Sequence, residues 1–176
     1  MTAFAGTGRL VVRRFAPADA VAFAAYRSDP AVARYQSWTA PFALAEARHL
    51  VSSFATAAEE AEGWFQYAVA LRGEGTLIGD VGVNRLGRVA ELGFTMARAY
   101  QGKGYATEAV RAVLTRVFAA GVHKVSAECD ARNEPSARLL TRVGFTREGL
   151  RREHTWLKGE WTDDLLFGLL ARDWHP

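Results

Sequence analysis

The sequence predicts an α/β domain with a mixed, mostly antiparallel central sheet, and three observations support that prediction. β-type segments follow one another at 64–71, 76–86 and 89–96, and the connections between them are short enough for antiparallel turns. After Gly104 the apolar residues recur every three or four positions, as they do in an amphipathic helix. A further β-type segment at 122–129 follows that helix, so a strand–helix–strand unit is expected around the glycine.

The first sixty residues are predicted to supply one strand and several short helices. The segment "RLVVRRF" (9–15) is typical of a strand, and an alanine-rich helical stretch follows Pro17. Residues 28–62 have a helical composition that is interrupted at Pro30 and Pro41, so broken helical pieces are expected there.

The helix that follows the glycine is the most clearly patterned element of the chain. Its apolar face consists of Ala106, Ala109, Val110, Val113, Leu114, Val117 and Phe118. Gly121 is predicted to cap its C-terminal end, because glycine adopts the left-handed backbone conformation that ends many helices.

The last third of the chain is predicted to contain one helix and two strands. Asn133 is expected to cap a helix over "EPSARLLTRV", with Pro135 in the first turn and Gly144 beyond its end. Two strands follow, joined by a turn at 158–159. In chain order this gives a sheet of about seven strands flanked by helices.

The composition limits the classes of function. A chain of 176 residues, 49% of them hydrophobic, is expected to form one domain, 1–176. A net charge of +3 suits an anionic ligand but is too small to indicate nucleic acid binding. Cys129 is the only cysteine and the histidines lack metal-ligand spacing, so no disulfide and no metal site are expected. No apolar run approaches membrane-spanning length, so a cytoplasmic protein without membrane contact is expected.

The Gly-Lys-Gly sequence at 102–104 lies between a predicted strand and a predicted helix. A glycine-rich turn at such a point presents backbone N–H groups beside the positive end of the helix dipole, and it can bind phosphate. Lys103 is followed by Gly104 and Tyr105, so this is not a Walker A loop. Thr107 occupies the position where a dinucleotide-binding fingerprint needs glycine. By itself the tripeptide fits an exposed turn equally well.

The surrounding sequence, "ELGFTMARAYQGKGYATEAV", resembles the acetyl-CoA site of the GNAT superfamily of N-acetyltransferases. The family motif Q/R-x-x-G-x-G/A is matched by Gln101, Gly104 and Ala106. Downstream, "NEPSARLLTRVGF" resembles the N-x-x-S-x-x-L segment of the family through Asn133, Ser136 and Leu139. The element order also matches, so the resemblance covers nearly the whole chain, and it extends to the bacterial RimJ/RimL-type branch, which acetylates ribosomal-protein N-termini.

This resemblance implies that acetyl-CoA is the cosubstrate. Its pyrophosphate would be held by the backbone N–H groups of Gly102, Lys103, Gly104, Tyr105 and Ala106. The fourth strand, which ends at Phe94-Thr95-Met96, would splay away from its neighbour through a bulge and leave backbone groups for the pantetheine. The N–H of Met96 would then polarise the thioester carbonyl, while its side chain packs in the core.

The resemblance also suggests residues for proton transfer. Glu91 is a candidate general base, and equally a paired strand carboxylate, with Asp80 as a weaker alternative base. Many family members place a tyrosine acid where this chain has Leu140, so Ser136 is the candidate acid or only a first-turn helix residue. Asn133 is expected to combine helix capping with a cofactor contact.

The acceptor is the least constrained part of the prediction. Tyr35 and Trp38 lie in the aromatic region 28–65, and they are expected either in the core or in the acceptor site. Three functions stay open: acetylation of a protein or peptide α-amine, acetylation of a small amine such as an amino acid, polyamine or aminoglycoside, and a CoA-binding module without catalysis. A homodimer is also left open.

Overall fold

The computed structural model describes residues 3–176, and its central feature is one eight-stranded sheet. The strands are β1 (Ala3–Gly6), β2 (Leu10–Arg13), β3 (Gly63–Leu71), β4 (Leu77–Leu86), β5 (Val89–Met96), β6 (Lys124–Asp130), β7 (Thr146–Leu157) and β8 (Glu160–Leu170). They lie in the order β1-β2-β3-β4-β5-β6-β8-β7. Every neighbouring pair is antiparallel except β5 and β6, which are parallel. The predicted mixed sheet is therefore confirmed, with one strand more than expected.

The additional strand is β1, which forms a hairpin with β2 at one edge of the sheet. It has only four residues, "AFAG", and they are too few to show an alternating pattern. Its pairing with β2 is a tertiary feature, so composition alone does not reveal it.

Helices cover both faces of the sheet. They are α1 (Ala20–Arg27), α2 (Pro30–Ala33), α3 (Leu44–Thr56), α4 (Tyr105–Ala119) and α5 (Glu134–Val143). Ala68 packs in the core beneath α1 and α3, whereas its neighbour Val69 packs in the core with α4 and α5. Successive residues of a strand point to opposite faces, so the sheet has an α1/α3 face and an α4/α5 face.

Local signals predicted the helix ends well. The Asn133 side chain accepts a hydrogen bond from the Ser136 N–H (3.3 Å), which caps α5 as expected. Gly144 follows α5 with a φ of +113°, and Gly121 follows α4 with a φ of +85°. The broken helical region is also confirmed, because a four-residue α2 precedes the longer α3.

Strands β5 and β6 separate part-way along their length. They pair only from Val89–Lys124 to Glu91–Ser126, so a gap opens beyond Glu91. On the other side, β5 stays in unbroken register with β4 from Leu86–Val89 to Gly79–Met96. The predicted splay is therefore present, but the predicted bulge is wrong: β5 diverges from β6 without an extra residue in its ladder with β4.

Candidate active site

A cavity of about 440 Å³ lies where the gap meets the N-terminal ends of α4 and α5. It brings together residues that are distant in sequence. Of the predicted site residues, those that line it are Tyr35, Phe94, Met96, Gln101, Gly102, Gly104, Tyr105, Ala106, Asn133 and Ser136. Four others, Glu91, Thr95, Lys103 and Trp38, are not among its lining residues.

The glycine loop forms one wall of this cavity. Gly102 and Gly104 have φ values of +72° and +81°, a conformation that residues with a side chain rarely adopt. Gly104 is the N-cap of α4, and it offers no side chain to the free N–H groups of the first turn. Those N–H groups lie at the positive end of a fifteen-residue helix, so the loop can bind an anion.

Arg9 holds the loop in place from the bend that immediately precedes β2. Its Nη1 donates to the Lys103 carbonyl (3.0 Å), and its Nε donates to the Glu108 carboxylate of α4 (2.7 Å). Its guanidinium also lies 4.4 Å from the centre of the Tyr105 ring. Arg9 was not predicted as a site residue, because no sequence pattern links position 9 to a loop some ninety residues later. The Lys103 side chain is exposed beside the Tyr100 ring, and the backbone carbonyl of Lys103 is the group that Arg9 binds.

The end of β5 forms a second wall through its backbone. Ala97 donates its N–H to the Ile78 carbonyl (2.8 Å), one position beyond the last pair of the β4–β5 ladder, and this bond fixes the alternation of hydrogen-bonded positions along β5. Such positions recur at every second residue, which directs the N–H groups of Phe94 and Met96 away from β4 and into the gap. The Met96 carbonyl accepts a hydrogen bond from the Gln101 side chain (2.9 Å). Gln101 therefore ties the glycine loop to the strand end.

The third wall is the first turn of α5. The Asn133 side chain caps the helix. Ser136 lies in the first turn and donates its backbone N–H to the Asn133 side-chain oxygen. Cys129 of β6 neighbours Ser136. Burial raises the pKa of the Cys129 thiol to about 11, and a hydrogen bond from Ser136 only partly opposes this. The thiol is therefore protonated at neutral pH, a poor state for a nucleophile.

Glu91 lies at the start of the gap, but on the other side of the sheet. Its neighbours Ala90 and Leu92 are buried in the core with α4, so the Glu91 side chain points to the α1/α3 face. Its backbone partner in β6, Ser126, forms the last pair before the strands separate. A group that reaches Glu91 would approach the gap from the face opposite the glycine loop.

Asp80 belongs to a buried cluster rather than to the cavity. It is only 3% exposed, and it accepts a hydrogen bond from the Tyr26 hydroxyl. Its Oδ1 lies 3.8 Å from Nη2 of Arg27, whose guanidinium stacks 3.9 Å from the Trp38 ring centre. Burial raises the pKa of Asp80, while Arg27 and Tyr26 oppose that shift. Trp38 thus packs over an ion pair, and Thr95 faces the same buried region.

Within residues 3–176, no group of three or more His, Cys, Asp or Glu side chains is arranged to hold a metal ion. No helix in the described part of the chain is long and apolar enough to cross a membrane.

Comparison with known proteins agrees with this geometry. The model of the acetyltransferase (GNAT) domain matches residues 9–146. The chain belongs to the GNAT acetyltransferase family. The uncharacterized N-acetyltransferase p20 of Bacillus licheniformis is 30% identical over 173 residues, which cover 96% of each chain. GNAT domains transfer acetyl groups from acetyl-CoA, so this chain is an acetyl-transferring enzyme.

Solved structures place the chain more closely among GNAT proteins. A GNAT-family acetyltransferase from Bacillus anthracis has a TM-score of 0.85 at 29% identity, covering 98% of this chain and 99% of the other. The ribosomal-protein-S5-alanine acetyltransferase of Vibrio fischeri has a TM-score of 0.83 at 25% identity, and the superposition covers 100% of both chains. The predicted RimJ/RimL-type branch is therefore confirmed.

Proposed function

We propose that residues 1–176 act as one domain that moves an acetyl group from acetyl-CoA to the N-terminal α-amine of a protein or peptide. The observation that carries the proposal is the cavity itself, which joins an uncapped helix N-terminus to a strand edge with free backbone groups. A protein acceptor is supported by the similarity to the S5-alanine acetyltransferase of Vibrio fischeri. A ribosomal-protein acceptor would also place the enzyme in the cytoplasm of a bacterium.

The cavity residues fit acetyl-CoA, which supplies the acetyl group as a thioester. The N–H groups from Gly102 to Ala106 would hold the pyrophosphate, because they converge at the helix N-terminus. The backbone of Phe94 and Met96 would hold the pantetheine and polarise the thioester carbonyl, with Met96 as the N–H donor. Asn133 and Ser136 would close the cavity around the sulfur from α5.

The acceptor would enter from the α1/α3 face, where Glu91 lies at the start of the gap. The neutral amine attacks the carbonyl carbon, a C–N bond forms, and the C–S bond breaks. Glu91 takes the proton that the amine loses, directly or through a water, and Ser136 donates a proton to the departing thiolate. Ser136 then regains a proton from water and Glu91 releases its own to water, so both residues return to their starting states. No acetylated enzyme forms, in accord with the protonated state of Cys129.

Glu91→Gln should lower kcat by about 10²-fold or more, because the amine loses its general base. The deficit should shrink at higher pH, where hydroxide can take up the proton in place of Glu91. Glu128→Gln is the matched control, since Glu128 is a β6 carboxylate already paired with Arg151 (3.0 Å). Equal kcat values for Glu91→Gln and the wild type, over the whole pH range, would remove Glu91 from the mechanism.

Ser136→Ala should lower kcat by about 10-fold to 100-fold and leave the acetyl-CoA KM nearly unchanged, because only the proton for the leaving thiolate is lost. The α5 cap survives, since Asn133 accepts from the backbone N–H of Ser136. Cys129→Ala is the control and should keep wild-type kcat. A large loss in the Cys129 variant alone would instead indicate a covalent cysteine intermediate.

The acceptor class is tested by CoA-thiol release from acetyl-CoA across N-terminal peptides, amino acids, polyamines and aminoglycosides. Turnover with peptides alone supports the proposal. Turnover with small amines alone would show that the acceptor is a small amine and would leave the proposed acetyl transfer unchanged. Acetyl-CoA binding without turnover on any acceptor would support a CoA-binding module without catalysis.

A further inference from the structure

The charged residues of the cavity wall are unusual in that all of them have one sign. Arg138 and Arg142 are the only charged side chains among the described residues that line it, and no carboxylate is present. Both arginines belong to α5, four residues apart, so they lie on one stripe of the helix. The α5 wall of the cavity thus presents two guanidinium groups.

The glycine loop does not need these arginines for its own anion. The first-turn N–H groups of α4 and the dipole of that helix already serve a pyrophosphate in the proposed function. Arg142 lies six residues beyond Ser136, which corresponds to about 9 Å of helix rise. Arg142 therefore lies well past the end of the cavity where the thioester would react, and Arg138 lies between that end and Arg142.

Neither arginine is firmly committed to another role. Arg142 is exposed, and no hydrogen bond or ion pair to it occurs among the described residues. Arg138 contacts Glu134 (2.7 Å), but both side chains are largely exposed, at 62% and 74%. Exposed ion pairs of this kind contribute little stability, so a phosphate dianion could displace Glu134 at small cost.

CoA carries a third phosphate, on the 3′ position of its ribose, which lies beyond the pyrophosphate from the thioester. We infer that Arg138 and Arg142 bind this 3′-phosphate and make the enzyme selective for CoA over 3′-dephospho-CoA. Guanidinium groups suit a phosphate because their fork of N–H donors matches its oxygens. The inference rests on the proposed function, since it concerns the same cosubstrate.

The test is calorimetric titration of the full chain with CoA and with 3′-dephospho-CoA. The wild type should bind CoA about 10-fold to 100-fold more tightly, as expected for charge-assisted hydrogen bonds. Arg142→Gln should weaken CoA binding by about 10-fold and leave 3′-dephospho-CoA binding unchanged. Arg138→Gln should act in the same direction but less, because Glu134 already neutralises part of its charge. Arg152→Gln, at an exposed position of β7 away from the cavity, is the control and should change neither affinity.

Equal wild-type affinities for the two ligands would overturn the inference. So would an Arg142→Gln variant that weakens both ligands equally, because the arginine would then serve the pyrophosphate. In either case the proposed function survives, since CoA still binds. If neither ligand binds the wild type, the proposed function fails together with the inference.

Discussion

Gly104→Glu should abolish acetyl-CoA binding, with a loss of affinity of about 10³-fold. The new carboxylate would occupy the cavity wall where the pyrophosphate is expected, and two like charges about 4 Å apart repel by about 4 kcal/mol at an effective dielectric of about 20. A Cβ at Gly104 would meet only Nη2 of Arg9, at 3.4 Å, so the substitution adds the charge without a serious steric clash. Titration calorimetry with acetyl-CoA measures the loss.

Gly87→Glu is the matched control for the strain that such a substitution introduces. Gly87 also has a positive φ (+60°), but it lies in the β4–β5 turn with open space around it. Both variants should lose about 1–2 kcal/mol of stability from the left-handed backbone. Only the Gly104 variant should lose acetyl-CoA binding. Normal binding by Gly104→Glu would show that the cofactor lies elsewhere.

Asp80→Ala should lower the free energy of unfolding by about 3–5 kcal/mol, because it leaves the buried Arg27 without its counter-ion. Arg27 is 9% exposed and its Nε has no hydrogen-bond partner among the described residues, so the buried guanidinium is incompletely paired even before the substitution. The Tyr26 hydroxyl loses its acceptor in the same step. Chemical denaturation of the purified chain measures the change.

Asp173→Ala separates burial from charge in that experiment. Asp173 lies 3.8 Å from Arg172, the same separation as in the Asp80–Arg27 pair. The side chains of Asp173 and Arg172 are both largely exposed, unlike those of Asp80 and Arg27. This control should cost less than about 1 kcal/mol. A stable Asp80→Ala variant without activity would contradict the structural role of Asp80 and return it to consideration as a base.

The central part of the fold was predictable because its signals are local. The period change after Gly104, the Asn133 cap and the short strand connections each depend on residues a few positions apart. Contacts between distant segments leave no such trace. The hold of Arg9 on the loop and the pairing of β1 with β2 depend on tertiary packing, and neither follows from a single sequence.

The absence of the predicted bulge in β5 decides which face of the sheet Glu91 occupies. Glu91 and Met96 are five residues apart, so in a regular strand their side chains point to opposite faces. A bulge between them would have restored the same face, because it adds one residue to the strand. The register with β4 is regular, and Glu91 therefore faces away from the cavity wall formed by Phe94 and Met96. This separation is the reason to expect acetyl-CoA and the acceptor on opposite faces of the sheet.

Titration of the wild-type chain with acetyl-CoA in a calorimeter is the most direct test of the proposed acetyl-CoA site. We expect saturable binding of one acetyl-CoA per chain, at the cavity between the glycine loop and α5, and loss of that binding in the Gly104→Glu variant. Absence of measurable binding by a folded wild-type chain would contradict the proposed site.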